Sequence, residues 1–278
     1  MSSPLDAPAP KPSYLRFSRS DRAQHLVMLV SFLVLTITGL PQKLIYLNSR
    51  YLDALIDAMG GIESVRIIHR IAATTLMLVT VYHVLDVAHR IYVRRARLTM
   101  LPGYKDALDA LQAVRYNLGL AQQRPRMDRY TWEEKVEYWS LIWGTIVMIA
   151  TGFMLWNPVA TTKFLPGEFI PAAQVVHGGE ALLAILAVLV WHFYSVHLRH
   201  FNRSMFTGEM SEHEMREEHP LELARIESGE HVTSSAEDMA RRERVFLPIA
   251  GVIALVLLTG IYWFVSFEQT AITTLPPK

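Results

Sequence analysis

Five histidines lie within or at the ends of long apolar stretches: His25, His69, His83, His177 and His192. Neutral imidazole is the commonest metal-ligating side chain, and it spares a hydrocarbon setting the cost of a buried charge. Their spacing is regular. His69 and His83 are 14 residues apart, and His177 and His192 are 15 apart. An α-helix turns about 100° and rises about 1.5 Å per residue, so each pair would share one broad face with about 21–22 Å between its members. Imidazoles from two such helices would meet at two depths. That pattern suits two flat macrocycles stacked across a membrane, each iron gripped by rings from different helices. With both axial positions filled, such an iron passes electrons and does not activate oxygen. The chain has no cysteine, which excludes thiolate clusters, thiolate zinc sites and covalently attached haem.

The elements that must position these rings are visible in the hydropathy pattern. Of the 278 residues, 51% are hydrophobic and 19% charged; soluble domains run nearer about 45–50% and about 25%. The excess is concentrated in five segments, roughly 25–47, 66–93, 136–157, 174–198 and 246–267, each long enough to span a bilayer. The second carries His69, Arg70, His83, Asp86, His89 and Arg90, so it must face a bundle interior or a ligand. Lys and Arg cluster in the N-terminal tail, between the second and third segments, and after the fourth. By the positive-inside rule these are cytoplasmic, which sends the C-terminus outside. The polar first 24 residues, with four prolines, are not a cleavable signal peptide. The basic stretches are topology signals, so no nucleic-acid partner is expected.

The fold expected is therefore all-α: an integral-membrane four-helix di-haem bundle with a fifth C-terminal span. Its divisions are a cytoplasmic tail (1–24), the four-helix core (25–200), a charged cytoplasmic helical segment (201–245), the fifth span (246–267) and an external tail (268–278). Residues 104–120, 209–244 and 44–58 also show helical periodicity.

Helix one repeats the stripe logic, because His25 and Gly39 are also 14 apart. A glycine at the outer level would let a macrocycle approach the backbone. Thr38-Gly39 in the first span is echoed by Thr151-Gly152 in the third, and RIIH at 66–69 by QVVH at 174–177, a weak internal repeat. The position equivalent to His25 in the third span is Tyr138, so that helix offers no ligand. His192 is then joined at the inner level by either His25 or His83. His89, His197 and His200 are read as structural. Arg66 and Arg70 flank His69 and are either partners of haem propionates or interfacial side chains. Asp86, one turn after His83, is either an acceptor for its imidazole or a helix-end charge.

These residues carry a resemblance. DRAQH at 21–25, RIIH at 66–69, Thr151-Gly152 with Trp156, His177 with His192, and the run from Asn202 through MFTGEMSEHEMREEHP to Pro220 resemble the cytochrome b (gamma) subunits of membrane-bound formate dehydrogenases, within the bacterial and nickel-hydrogenase di-haem cytochrome b family. The resemblance implies two non-covalent b haems. It implies His69 and His177 as ligands of the outer one, and His25 and His192 as ligands of the inner one. It also implies a menaquinone or ubiquinone near the inner haem, close to the start of the third span. There the sequence offers Tyr130, Trp132, Glu133, Glu134 and Tyr138: Trp132 to stack on a quinone ring, an acid to pass protons. Trp132 is equally an interfacial belt residue, and the acids equally first-turn carboxylates. Three features depart from the family pattern: His83 is additional, the family's Asn-x-Gly is replaced by Thr131-Trp132-Glu133, and the fifth span is extra.

The expected function is that of the quinone-reactive subunit of a respiratory oxidoreductase in the bacterial cytoplasmic membrane. It would carry electrons between a periplasmic redox subunit, an iron–sulfur protein or multihaem cytochrome c, and the quinone pool. The alternatives are a haem-free membrane anchor and a proton or metal transporter with histidines along its path.

Overall fold

The computed structural model describes residues 12–44, 47, 49–199, 201–230 and 234–266. The chain forms two units, one drawn from 1–23, 97–138 and 201–233, the other from 24–96, 139–200 and 234–278.

The second unit carries the histidines. Its long helices are α1 (Arg19–Leu44), α3 (Ile62–Tyr92), α5 (Trp132–Trp156), α7 (Phe169–Leu186, continued to Arg199) and α11 (Ala236–Ser266). A short α2 (Arg50–Ala58) precedes α3. It stops at Gly60-Gly61, both at φ near +90°, a left-handed conformation that only glycine adopts without cost. Short α6 (Pro158–Thr161) follows α5 after Asn157-Pro158. The large apolar side chains of the long helices point outward: Leu26, Leu33, Ile71, Leu183, Val252 and Leu255 are exposed. Most buried positions are small or polar, among them Gln24, Ser31 and Thr38 of α1, Ala72 of α3 and Gly144 and Thr151 of α5, with Val65 and Met77 of α3 the apolar exceptions. Apolar outside and small or polar inside is the arrangement of helices solvated by lipid. The protein is a multi-pass, all-α membrane protein with five spans.

Two expectations change. Beyond Leu186 the fourth span is not α-helical: Ala187–His192 and Tyr194–Arg199 form wider π turns. The α-helical angle and rise derived above for His177 and His192 therefore fail over the last third of that interval, because i→i+5 turns advance fewer degrees per residue. The helix that carries the fifth span also starts earlier than 246. One helix, α11, runs through the charged residues Glu237–Arg244 into the apolar stretch, with Pro248 inside it. It packs antiparallel to α3. Phe246 meets His89 (5.4 Å) and Tyr92 (6.2 Å) at one end, and Arg242 Nε donates to the Val93 carbonyl at 3.0 Å. At the other end Trp263 and Phe264 meet Phe153 of α5, and Phe264 meets Trp156.

The first unit is held by contacts distant in sequence. Strand β1 (Ser13–Leu15) pairs antiparallel with β2 (Glu209–Ser211), Tyr14 opposite Met210. Helices α4 (Tyr104–Asn117), α8 (Ser204–Thr207), α9 (Glu212–Glu218) and α10 (Pro220–Glu227) complete it. Its apolar centre is Met210, Met215 and Leu223 with Tyr14 and Ile226. Around this lies a charged lattice: Arg16 to Glu134 (3.0 Å), Arg129 to Glu222 (3.4 Å) and Arg225 to Asp128 (2.8 Å). The tail expected over 1–24 is thus partly structured: its described end contributes β1, the buried Arg16 and the start of α1. The helical periodicity of 209–244 is interrupted twice, where α9 and α10 meet at His219-Pro220 and at Gly229, which has φ +71°. The external tail 268–278 lies outside the described residues.

Candidate functional site

Helices α3 and α7 each open with a histidine one turn or more inside the span, and the two imidazoles face each other. The centroids of the His69 and His177 rings are 6.4 Å apart at an interplanar angle of 63°. His25, in the second turn of α1, faces His192 of the fourth span with the same 6.4 Å separation and an angle of 36°. The distance is informative. A metal–imidazole bond of about 2.0 Å plus about 1.1 Å from nitrogen to ring centroid, doubled, spans about 6.2 Å. Two rings on opposite faces of one six-coordinate iron would stand at that separation. Rings in direct contact can stand nearly as far apart, as Tyr92 and Phe246 do at 6.2 Å; what singles these two pairs out is that both are imidazole with imidazole, each drawn from two different spans. The residues present therefore fit bis-imidazole haem at two places. Among the described residues, no three His, Asp or Glu side chains converge as a bare metal ion would need.

The first pair is oriented by a repeated device. Thr38 Oγ1 lies 2.8 Å from His69 Nδ1, and Thr151 Oγ1 lies 2.9 Å from His177 Nδ1. Each threonine hydroxyl already donates to a carbonyl one turn back, Val34 at 2.6 Å and Val147 at 2.7 Å. A hydroxyl has one proton, so toward the histidine it can only accept. Nδ1 therefore carries the ring proton, and Nε2 keeps its lone pair for a ligand. The adjacent glycines make room for these rings. A Cβ on Gly39 would stand 3.2 Å from His69 Cε1, and one on Gly152 3.4 Å from His177 Cε1. Gly39 thus leaves room for an imidazole, a neighbour its spacing from His25 did not suggest. The Thr-Gly repeat, visible in sequence, is thus one half of a Thr-Gly/His unit used twice. The threonines were the functional residues that spacing arguments overlooked, although the repeat was the signal.

Removing the acceptor tests this. Thr38→Val and Thr151→Val are expected to weaken haem retention at this pair about 10–100-fold, the usual cost of losing a partner behind a ligating histidine, and to leave the other pair unchanged. Haem titration of the apoprotein with optical detection measures it.

The remaining candidates are placed as follows. His83 Nδ1 is 2.8 Å from Gln24 Oε1, Gln24 Nε2 donates to Asp86 Oδ2 at 2.9 Å, and Asp86 pairs with Arg90 at 2.5 Å. Asp86 thus reaches His83 through Gln24, a residue that drew no attention in the sequence beyond its place in DRAQH. Arg66 pairs with Glu63 on the exposed face of α3 (2.7 Å). The Arg70 guanidinium lies 4.6 Å over Trp156. His89 approaches Glu243 (3.6 Å), and His197 packs on Phe193. His200 lies outside the described residues.

Of the quinone candidates, all in the first unit, Tyr130 has its ring between the guanidiniums of Arg16 (4.9 Å) and Arg129 (5.6 Å). Trp132 and Glu133 form the first turn of α5, and Tyr138 lies half-buried one to two turns on. The Thr131-Trp132-Glu133 departure acquires a local reason. Glu134 Oε2 accepts from Thr131 N at 2.8 Å, and Thr131 Oγ1 accepts from Glu134 N at 3.1 Å. This reciprocal pair is a capping box, which satisfies two orphan N–H groups at the helix start. Outside the spans, burial together with the Arg16 charge holds the His219 imidazole down to about 4.

The architecture is that of a membrane-spanning helical bundle with imidazoles paired between helices. A family model described as prokaryotic cytochrome b561 matches residues 16–208, and the chain belongs to that family of membrane cytochromes b. It is similar to the nitrate-inducible formate dehydrogenase cytochrome b556(Fdn) subunit of Escherichia coli K12, at 20% identity over 217 residues. That match covers 78% of this chain and 93% of the relative. The subunit of the same name from Shigella flexneri is similar to the same extent.

Proposed function

We propose that the chain is the di-haem b subunit of a respiratory oxidoreductase complex, carrying electrons between a redox partner outside the cytoplasmic membrane and the quinone pool. The observation that carries this reading is the repeated 6.4 Å separation of two imidazole pairs, each pair drawn from two different helices. His69 and His177 would hold one haem, His25 and His192 the other. Bound haem supplies one-electron transfer at an iron with no open coordination position.

What the protein's own residues do follows from their bonds. Thr38 and Thr151 fix the tautomer that leaves Nε2 of His69 and His177 as the lone-pair nitrogen. Gly39 and Gly152 leave space for those rings. Gln24, tied to His83 and Asp86, fixes the rotation of α1 and with it the direction of His25. The outward-facing apolar side chains keep the pairs in a water-poor interior. Arg70, held on Trp156, is a fixed cation at the His69 level.

The quinone is the second reactant. Its candidate contacts are Trp132, for ring stacking, and Glu133 and Tyr138, for proton passage. Tyr130 already has the Arg16 and Arg129 guanidiniums against its ring and has the weaker claim. The orientation proposed puts the N-terminus, residues 97–138 and residues 201–233 on the cytoplasmic side. A partner outside the membrane fits the similarity to a formate dehydrogenase subunit. The span α11 lies beyond the family match and suggests a different partner surface.

The test is a pyridine haemochrome spectrum on the purified, membrane-extracted protein. A b-type spectrum with about two haems per chain is expected for two bis-imidazole sites. A haem-free preparation from cells supplied with haem overturns the proposal and leaves a membrane anchor or a transporter. Oxidation of the reduced protein by a short-chain quinone then tests the second reactant.

A further inference from the structure

We infer that helix α4 is a membrane-surface helix, its exposed leucine stripe seated in an anionic lipid leaflet. The helix is inverted relative to a helix on a water-facing surface. Asp106, Asp109, Gln112 and Tyr116 are partly buried on the side toward the protein. Asp106 pairs with Lys135 at 2.7 Å, Asp109 pairs with Lys105, Lys105 Nζ donates to the Arg126 carbonyl at 2.9 Å, and Gln112 Nε2 donates to the Gln123 carbonyl at 2.9 Å. Tyr116 lies under the Arg124 guanidinium at 5.3 Å. Its apolar side chains point away. Tyr104 is 80% exposed, Leu111 56% and Leu118 68%, with Leu108 and Val114 exposed beside them.

At about 100° per residue these positions fall within one stripe about 120° wide. Leu98, Leu101 and Leu120 extend the exposed apolar surface at the two ends of the helix. No residue of α4 is buried. In water a helix lays its apolar stripe on the core and its charges outward. A helix that does the reverse, with its acids satisfied internally, requires an apolar medium on the outer side.

The charges identify that medium. The one ionised side chain within the stripe is Arg115; Arg124, over the neighbouring Tyr116, is exposed as well, as are Arg97 and Arg126 of the same unit. The acids of α4, Asp106 and Asp109, are on the opposite face and paired. An apolar stripe bordered by arginines is the pattern of a helix lying in the headgroup–acyl boundary, and cations at that depth favour anionic lipid. The inference takes from the proposed function only that this segment lies beside the cytoplasmic leaflet.

The native chain has no cysteine, so single labels are clean. Full-length, haem-loaded protein bearing Leu111→Cys or Asn117→Cys would carry an environment-sensitive fluorophore, in nanodiscs of phosphatidylcholine with phosphatidylglycerol and doxyl-labelled lipid. Position 117 is exposed outside the stripe, about 120° around the helix from 111. Quenching at 111 is expected to exceed that at 117 by about threefold or more, as for an apolar face immersed in the interface. The excess should shrink in phosphatidylcholine alone and in Arg115→Gln. Labels at Leu108→Cys and Leu118→Cys should follow 111, which covers a misfolded single variant. Equal quenching at 111 and 117 overturns the inference, whether the 111 label proves wet or shielded by another protein. Haem absorbance of the same samples reports separately on the electron-transfer reading. A quenched label in haem-free protein would reject that reading and keep this one.

Discussion

His25→Ala is expected to remove about half of the b-type absorbance, whereas His83→Ala keeps the full haem content. The two histidines compete in sequence for one role, since both stand at the level of His192. They differ in what their rings do. The His25 ring faces His192 at 6.4 Å and 36°. The His83 ring gives its Nδ1 proton to Gln24 Oε1 at 2.8 Å, because an amide oxygen only accepts. Gln24 and His25 are successive residues on α1, so their side chains diverge by about 100°. Gln24 turned to His83 is what turns His25 to its partner. The bond to Gln24 leaves His83 Nε2 with its lone pair, as at His69, so it is the facing of His25 and His192 that makes His83 the positioning residue in the function proposed. Its loss should leave stoichiometry intact but shift the midpoint potential and the optical band of the haem held by His25, a signature that a remote packing defect would not give. Haemochrome quantification with a redox titration on each variant decides. Loss of a haem in His83→Ala with retention in His25→Ala reverses the assignment, and loss in neither removes both residues from the site.

Much of this site was legible because membrane helices restrict what a histidine can do. Apolar runs fixed the spans, and a histidine inside such a run must bond to something. His69 and His177 follow from the parallel RIIH and QVVH openings, since equivalent places in a repeat face equivalent partners. Rotation along the fourth span was not legible. The π turns from Ala187 onward have no composition signal of their own, and an α-helical angle from His177 to His192 does not survive them. The choice between His25 and His83 was not legible either; what favours His25 is that its ring faces His192, a matter of helix rotation that spacing does not give. For Gly39 a missing Cβ says only that something approaches; the geometry adds an imidazole that spacing did not suggest. Least legible was the first unit. Pairing of residues 13–15 with 209–211 joins segments nearly 200 positions apart, and no local propensity encodes that. Arg16 and His219, both almost fully buried, read in sequence as ordinary surface residues of charged stretches.

His219 gives that unit a pH dependence of known sign. Its ring is enclosed where α9 meets α10, and Nδ1 donates to the Asp128 carbonyl at 2.8 Å. Burial is the largest cause of its lowered pKa, and the Arg16 and Arg129 charges act in the same direction. Glu134 and the Asp128 carbonyl oppose them, and the result is about 4 against an ordinary 6.5. The folded unit therefore prefers the neutral ring, and between those two values the unfolded chain binds more protons. The stabilisation is fully present above pH 6.5, falls as the pH drops toward 4, and levels off below that. Two to three pKa units correspond to about 3 kcal/mol, a large fraction of what holds a small folded unit together. Asp128 enters only at lower pH. Burial pushes its carboxyl up, but hydrogen bonds from Arg225 and the Arg129 N–H, with the Arg225 and Arg97 charges, hold it below the usual range. Its share is lost as the pH falls below the ordinary carboxylate value. Proteolysis of the 212–227 segment in increasing urea should thus show a midpoint that drops between pH 6.5 and 4.5. In His219→Gln, which keeps a donor for the Asp128 carbonyl but cannot be charged, the midpoint should stay nearly flat over that interval. A wild-type midpoint flat between pH 6.5 and 4.5, or a variant as steep as the wild type, would mean that the ring takes its proton without leaving the fold.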